Sequence, residues 1–76
     1  MNRILTILKE IRPEFDFAGS TDFIEDGMLD SFDVVVLVSE LDKAFSISID
    51  GDDIVPENFA SLDAIAGLLG KYGVKP

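Results

Sequence analysis

One short stretch of the chain places a hydroxyl among carboxylates where an apolar run begins. Ser31 follows Asp30 and comes two residues before Asp33, in Gly27-Met28-Leu29-Asp30-Ser31-Phe32-Asp33. A serine becomes a catalytic nucleophile only when a positioned base takes its proton. The chain contains no His, and no Lys lies near Ser31 in the sequence. These residues therefore predict a hydroxyl that another protein acts upon, in a protein that is not itself an enzyme.

The same residues have a simpler interpretation as the start of a helix. Asp and Ser are preferred N-cap residues, because their side chains accept hydrogen bonds from free N–H groups of the first turn. Either Asp30 or Ser31 has the right chemistry for this, and Asp33 adds a carboxylate near the positive end of the helix dipole. If Ser31 is only a cap, the protein is an unmodified acidic helical adaptor that binds a basic protein partner. Both interpretations are open at this point.

Apolar residues at helical spacing predict the elements that must position Ser31. Three stripes with the i, i+3, i+4, i+7 spacing predict helices over residues 2–12, from Asp30 to Phe45, and from Ser61 to Gly70 or Gly73. Pro56-Glu57-Asn58-Phe59 fits one more helical turn, with Pro in its first position. Residues 13–30 have no sustained period, and we expect their scattered apolar side chains to fill the core. The prediction is an all-α fold: a small four-helix bundle of three main helices and one short one, forming a single domain over residues 1–76.

Composition restricts the partners of this chain. Its 76 residues include 15 acidic and 6 basic side chains, a formal net charge of −9. Such a charge repels nucleic acid and anionic membrane surfaces and favours proteins with basic patches. The chain has no Cys, and Asp50-Gly51-Asp52-Asp53 lacks the spacing of an EF-hand calcium loop. We expect a monomer that binds protein partners and no nucleic acid, and that has no specific metal site, while weak binding of divalent ions by the acidic surface remains open.

The apolar runs are too short for a membrane span. The longest, Val34 to Val38, has five residues, whereas about 20 are needed to cross a bilayer. The run that begins at Ile4 is interrupted by Lys9 and Glu10, and no small-residue cleavage site follows it as in a signal peptide. We therefore expect a cytoplasmic protein without membrane insertion.

The stretch around Ser31 resembles the Asp-Ser-Leu signature of the acyl and peptidyl carrier protein family. The resemblance extends over nearly the whole chain. The residues similar to the family's second helix and the segment after it are Val35, Leu37, Val38, Leu41, Phe45 and Ile49, while 53–59 resembles its short third helix and 61–69 its fourth. The resemblance implies a free-standing carrier with a 4′-phosphopantetheine arm attached covalently to Ser31, whose thiol holds acyl or aminoacyl groups as thioesters.

The resemblance also implies partners and a docking surface. The partners are a phosphopantetheinyl transferase, an acyl- or aminoacyl-adenylating ligase, and a downstream acyltransferase or synthase. The docking residues are Asp30, Phe32, Asp33 and Val36. Phe32 stands where Leu is more usual, and we expect it either to contact partners or to fold back onto the preceding loop.

The cargo is not specified by these residues. Val36 stands where carriers of fatty-acid synthesis often place an acid, so partner contacts are expected to be more apolar than in those carriers. Gly27-Met28-Leu29-Asp30-Ser31-Phe32 and the later Pro56-Glu57-Asn58-Phe59 are more similar to aminoacyl-type carriers, such as the D-alanyl carrier of teichoic acid modification. Because the loading enzyme selects the cargo, fatty acyl and aminoacyl groups both remain open.

Overall fold

Three α-helices form the fold in the computed structural model, which describes residues 2–19 and 21–74. They are α1 at Asn2–Ile11, α2 at Ser31–Phe45 and α3 at Leu62–Lys71. Single 3-10 turns lie between them at Phe17–Gly19, Gly51–Asp53 and Pro56–Phe59. Within these described ranges there is no strand, and no helix is long and apolar enough to cross a membrane. The all-α prediction is confirmed, and the predicted short helix is the 3-10 turn at Pro56–Phe59.

Helix α1 runs antiparallel to α2 and is tied to it near both ends. At the start of α1, Arg3 Nη2 donates to the carbonyl of Ala44 at 2.6 Å, and its guanidinium carbon lies 4.5 Å from the ring centre of Phe45. At the end of α1, Arg12 pairs with Asp33 in the first turn of α2. Apolar side chains of both helices are buried in the common core, namely Ile4, Ile7, Leu8, Val34, Leu37, Val38 and Leu41. Contacts of the two arginines therefore join α1 and α2 near their ends, and apolar packing holds the two helices together in between.

The segment between α1 and α2 fills the core with its own side chains, as predicted. Phe17, Phe23, Met28 and Leu29 are all buried, and the Phe17 and Phe23 rings meet edge to face with centroids 5.0 Å apart. The carbonyl of Phe23 accepts hydrogen bonds from the N–H groups of Met28 at 2.8 Å and Leu29 at 3.1 Å. The N–H of Phe23 donates to the carbonyl of Ala60. The chain therefore enters α2 from an anchored position.

Helix α3 begins and ends as its sequence predicts. Ser61 is its N-cap, and the Ser61 hydroxyl accepts a hydrogen bond from the N–H of Ala64 at 3.0 Å. Beyond its end, Gly73 has a φ of 80° and donates to the carbonyl of Gly70 at 3.1 Å. This left-handed residue after the last turn is a common helix stop that favours glycine. The side chains that α3 and the preceding 3-10 turn bury are Phe59, Ile65, Leu68 and Leu69.

The acidic turn before α3 is bonded to the end of that helix. Asp53 Oδ1 lies 2.7 Å from Lys71 Nζ, and Asp53 Oδ2 accepts from the Tyr72 hydroxyl at 2.6 Å. The Tyr72 oxygen in turn accepts a hydrogen bond from the N–H of Asp50 at 2.8 Å. Hydrogen bonds from Lys71 and Tyr72 lower the pKa of Asp53, so its carboxylate stays charged at neutral pH. In the part of the chain that the structure describes, no acidic side chains are grouped so as to hold a metal ion.

Two glycines in different backbone conformations provide a matched test of the fold. Gly27 has a φ of 72°, whereas Gly67 lies inside α3, and at either position an added Cβ would meet open space. We expect Gly27→Ala to destabilise the protein by about 1 kcal/mol, because L-residues disfavour the left-handed conformation. We expect Gly67→Ala to stabilise it by about 0.5–1 kcal/mol, because Ala is the better helix former. Urea denaturation measures both, and effects of the same sign would contradict these backbone conformations.

Candidate functional site

Ser31 is the first residue of α2, and its side chain is exposed. The residue that caps the helix is Asp30, whose Oδ1 accepts a hydrogen bond from the N–H of Asp33 at 2.9 Å. Among the described residues, no hydrogen bond involves the Ser31 hydroxyl. Of the two cap candidates in the sequence, Asp30 is therefore the cap, and the interpretation of Ser31 as a cap is wrong. Its hydroxyl has no structural role in the helix start.

Asp30 and Asp33 hold the first turn of α2 through reciprocal hydrogen bonds. Asp30 Oδ1 accepts a hydrogen bond from the N–H of Asp33, and Asp33 Oδ2 accepts one from the N–H of Asp30 at 3.2 Å. This capping box encloses Ser31 and Phe32, the two residues between the acids. The N–H groups of Ser31 and Phe32 take no part in the box or in any other hydrogen bond of the described chain. Two donors thus remain open at the positive end of α2.

Asp33 is the buried acid of this site. It is only 5% exposed, and its Oδ2 lies 2.9 Å from both Nε and Nη2 of Arg12. Burial by itself raises the pKa of Asp33, but the hydrogen bonds from Arg12 and from the Asp30 backbone, with the positive charge of Arg12, lower it overall. The same contact raises the pKa of Arg12. Both groups are therefore charged at neutral pH, and the positive charge of Arg12 compensates the buried negative charge of Asp33.

The four residues that were predicted to contact partners differ in their exposure to solvent. Phe32 is 74% exposed, so it does not fold back onto the preceding loop. The Asp30 side chain is 64% exposed and Val36 is half-buried. Asp33 is the exception, because its carboxylate faces Arg12 inside the fold. Because its side chain is only 8% exposed and is already paired with Arg12, we leave Asp33 out of the docking surface.

Two further residues belong to the site. Val35 is 62% exposed, and with Phe32 and Val36 it has the i, i+3, i+4 spacing that places side chains on one helix face. We call Phe32, Val35 and Val36 the α2 patch. Val35 was missed among the residues predicted to contact partners, although its helical spacing from Phe32 was the signal that could have found it. Arg12 is the second addition. Its contact with Asp33 spans 21 residues of sequence, and no local spacing rule predicts a contact of that range.

A shallow groove between α1 and α2 adjoins the α2 patch. Its volume is about 330 Å³, and Phe32 and Val36 line it together with Ile11 of α1. Glu10, Asp33 and Glu40 contribute to the lining of the same groove. Exposed apolar area beside polar side chains is typical of an interaction site. The surface next to Ser31 therefore combines apolar side chains with carboxylates.

Substituting the two cap candidates one at a time tests their assignment. We expect Asp30→Ala to lower the free energy of unfolding by about 1 kcal/mol, the usual effect of losing an N-cap. We expect Ser31→Ala to change it by less than about 0.5 kcal/mol, because the exposed hydroxyl makes no contact that supports the helix. Urea denaturation followed by circular dichroism measures both values. Equal destabilisation by the two substitutions would return the capping role to Ser31.

Comparison with known protein families identifies the same region. A family model described as a phosphopantetheine attachment site matches residues 2–69, which contain α1, α2 and most of α3. Comparisons with curated proteins and with solved structures gave no match. Proteins of the matched family bear 4′-phosphopantetheine on a serine and carry groups without catalysing reactions themselves. The chain belongs to the phosphopantetheine attachment family of carrier proteins.

Proposed function

We propose that Ser31 is the attachment point of the 4′-phosphopantetheine arm. The observation that supports this is the position of its hydroxyl, which is exposed at the first residue of α2 and outside the capping network. Ser39 and Ser61 lack this combination. Ser61 uses its hydroxyl as the cap of α3, and Ser39 lies well inside α2, where the helix uses its own N–H groups. Ser31 alone of these three joins an available hydroxyl to a helix N-terminus.

The residues around Ser31 fit a phosphate group. The open N–H groups of Ser31 and Phe32 lie at the N-terminus of a 15-residue helix, the part of a helix that best accommodates an anion. Asp30 is the opposing charge, and the Arg12 Nη2 atom 3.8 Å from Asp30 Oδ2 offsets it. The arm supplies a terminal thiol that holds acyl or aminoacyl groups as thioesters. The chain has no Cys of its own to compete in thiol exchange.

The α2 patch and Asp30 form the proposed docking surface for the enzymes that load and use the arm. These partners are a phosphopantetheinyl transferase, an acyl- or aminoacyl-adenylating ligase, and an acyltransferase or synthase. The exposed Phe32 and Val35 suit an apolar recess on the partner, and Asp30 suits a basic residue at its edge. The net charge of −9 favours approach of a basic surface over the same face. The family assignment favours this carrier function over the adaptor alternative.

Intact mass after incubation with coenzyme A and a broad-specificity phosphopantetheinyl transferase tests the attachment point. We expect the wild-type protein to gain the mass of one phosphopantetheine, because it presents one suitable hydroxyl. Ser31→Ala should gain nothing, since it lacks the accepting oxygen. Ser39→Ala is the matched control, because it removes another exposed hydroxyl of α2, and it should be modified as completely as the wild type.

Each result of this experiment has one meaning. Modification of the wild type and of Ser39→Ala, but not of Ser31→Ala, supports the proposal. Addition to a well-folded Ser31→Ala variant would refute it. A folded wild type that gains no mass would also refute it and would favour the adaptor. Circular dichroism of each protein establishes that it is folded.

The docking surface is tested by the kinetics of the same reaction. We expect Phe32→Ala to raise KM for the carrier by about fivefold to tenfold, because truncating an aromatic contact at the centre of an interface commonly costs more than about 1 kcal/mol. Ile54→Ala is the control, since Ile54 is an exposed large apolar side chain that lies outside α2. An unchanged KM for Phe32→Ala, or an equal rise for Ile54→Ala, would remove Phe32 from the docking surface.

A further inference from the structure

The side chain of Arg12 links the first turn of α2, which contains Ser31, to the end of α1. Arg12 follows the last residue of α1, and its N–H donates to the carbonyl of Leu8 at 2.9 Å, which continues the helical bonding by one residue. Its position is therefore set by α1. From there its guanidinium reaches Asp33, 21 residues further along the chain. The orientation of the first turn of α2 is thus coupled to a different helix.

Three nitrogen atoms converge on one oxygen of Asp33. Asp33 Oδ2 accepts hydrogen bonds from Arg12 Nε at 2.9 Å and from the N–H of Asp30 at 3.2 Å, and Arg12 Nη2 lies 2.9 Å from the same oxygen as an ion-pair contact. The oxygen that closes the capping box around Ser31 is therefore the oxygen that Arg12 holds. Charge-assisted hydrogen bonds to a guanidinium are strong and directional. When Arg12 restrains the carboxylate, it restrains the backbone turn that displays Ser31 as well.

We propose that Arg12 is a positioning residue for the modification of Ser31, acting through Asp33 to hold the hydroxyl in one orientation toward the incoming phosphorus. The inference rests on the proposed function of Ser31. In the modification, the Ser31 oxygen bonds to the phosphorus of the phosphopantetheinyl group of coenzyme A. The pyrophosphate P–O bond breaks, adenosine 3′,5′-bisphosphate leaves, and the hydroxyl proton passes to a base of the transferase.

The burial of Asp33 strengthens the inference, because the charge of its carboxylate is compensated by Arg12. A capping box alone satisfies the N–H groups of Asp30 and Asp33, but it does not neutralise Asp33. Because Asp33 is almost fully buried, its charge needs a partner, and Arg12 is the cation that the structure places there. Without Arg12, the carboxylate would be driven toward water or toward protonation, and either change loosens its bond to Asp30. The turn that carries Ser31 would then sample several orientations.

Steady-state kinetics of the modification test the role of Arg12. The wild type, Arg12→Gln and Arg12→Lys are compared with coenzyme A and a broad-specificity phosphopantetheinyl transferase, at a temperature where circular dichroism shows all three folded. We expect Arg12→Gln to lower kcat about tenfold, because small misplacements of a reacting group have effects of this size. KM should change by less than about twofold, because the α2 patch is unaltered. Arg12→Lys, which keeps the charge and part of the bonding, should recover part of kcat.

A matched control separates positioning from general loss of stability. Lys71→Gln breaks an ion pair of similar length, 2.7 Å between Lys71 Nζ and Asp53 Oδ1, that involves neither α1 nor α2. We expect wild-type kinetics for this variant. If Lys71→Gln slowed the reaction as much as Arg12→Gln does, the effect would come from overall stability and the inference would fail.

A double substitution tests whether Arg12 acts through Asp33. The variant carrying both Arg12→Gln and Asp33→Asn should be no slower than Asp33→Asn alone, because the route from Arg12 to Ser31 is already broken. If the double variant lost kcat by the product of the two single effects, Arg12 would not act through Asp33. Amide hydrogen exchange of the unmodified protein gives a readout independent of the transferase: the N–H groups of Asp33 and Val34 should exchange faster in Arg12→Gln than in Lys71→Gln. Equal exchange in the two variants would overturn the proposal.

The outcomes for Ser31 and for Arg12 are distinguishable. If the wild type is not modified, the proposed function fails and the role of Arg12 fails with it. If the wild type is modified, and Arg12→Gln retains its kcat and its exchange rates, the carrier function stands and the positioning role alone is refuted. A variant of Arg12 that does not fold is replaced by Arg12→Lys, for which wild-type kcat and exchange would likewise refute the role.

Discussion

The start of α2 depends on one ion pair between distant parts of the chain. Asp33 is required on the inside of the first turn to complete the capping box, and in that position its carboxylate is nearly removed from water. A buried unpaired carboxylate is strongly unfavourable, so the box is stable only because Arg12 pairs with Asp33. Because Asp30 and Asp33 make the capping hydrogen bonds, the Ser31 hydroxyl makes none in the described part of the chain. The Ser31 hydroxyl is therefore free for the modification that we propose, because Asp30 and Asp33 hold the start of the helix.

Basic side chains are scarce in this protein, and several of them are used at the ends of helices. Of the 6 basic residues, Arg3 binds the C-terminal end of α2, Arg12 its N-terminal end, and Lys71 the turn before α3. With 15 acidic residues in the chain, these pairings leave the remaining surface predominantly negative. The pairings that hold the helix ends therefore also leave an acidic surface. Of the other basic residues that the structure describes, Lys9 and Lys43 are exposed, and these are the like charges that would repel a basic partner.

Apolar residues are divided between the core and the face beside Ser31. A domain of this size has a modest core, and here the loop before α2 contributes to it with Phe17, Phe23, Met28 and Leu29. In contrast, Phe32 and Val35 remain outside on α2 although they are as apolar as the residues inside. Their exposure follows from geometry, because the first turns of α2 already bury Val34, Leu37 and Val38 on the opposite side. An apolar face left open in this way suits transient contact with several partners.

The sequence by itself determined most of the secondary structure and the place of the serine. Helical spacing located α1, α2 and α3, and residue type indicated the cap at Ser61 and two candidate stops, Gly70 and Gly73. The pattern around Ser31 indicated the family. These features arise within a few residues of one another, so local rules of periodicity and capping are sufficient.

Only the tertiary structure decided whether Asp30 or Ser31 caps α2, which acid is buried and whether Phe32 is exposed. Asp30 and Asp33 are both acids of the first turn, and the sequence placed both on the docking surface. They differ because α1 brings Arg12 against one of them and leaves the other in water. Phe32 presented the same ambiguity, since either an exposed or a packed position suits an isolated aromatic residue. Contacts across 21 residues depend on how two helices pack, and the free energy that selects them comes from the whole core rather than from any local segment.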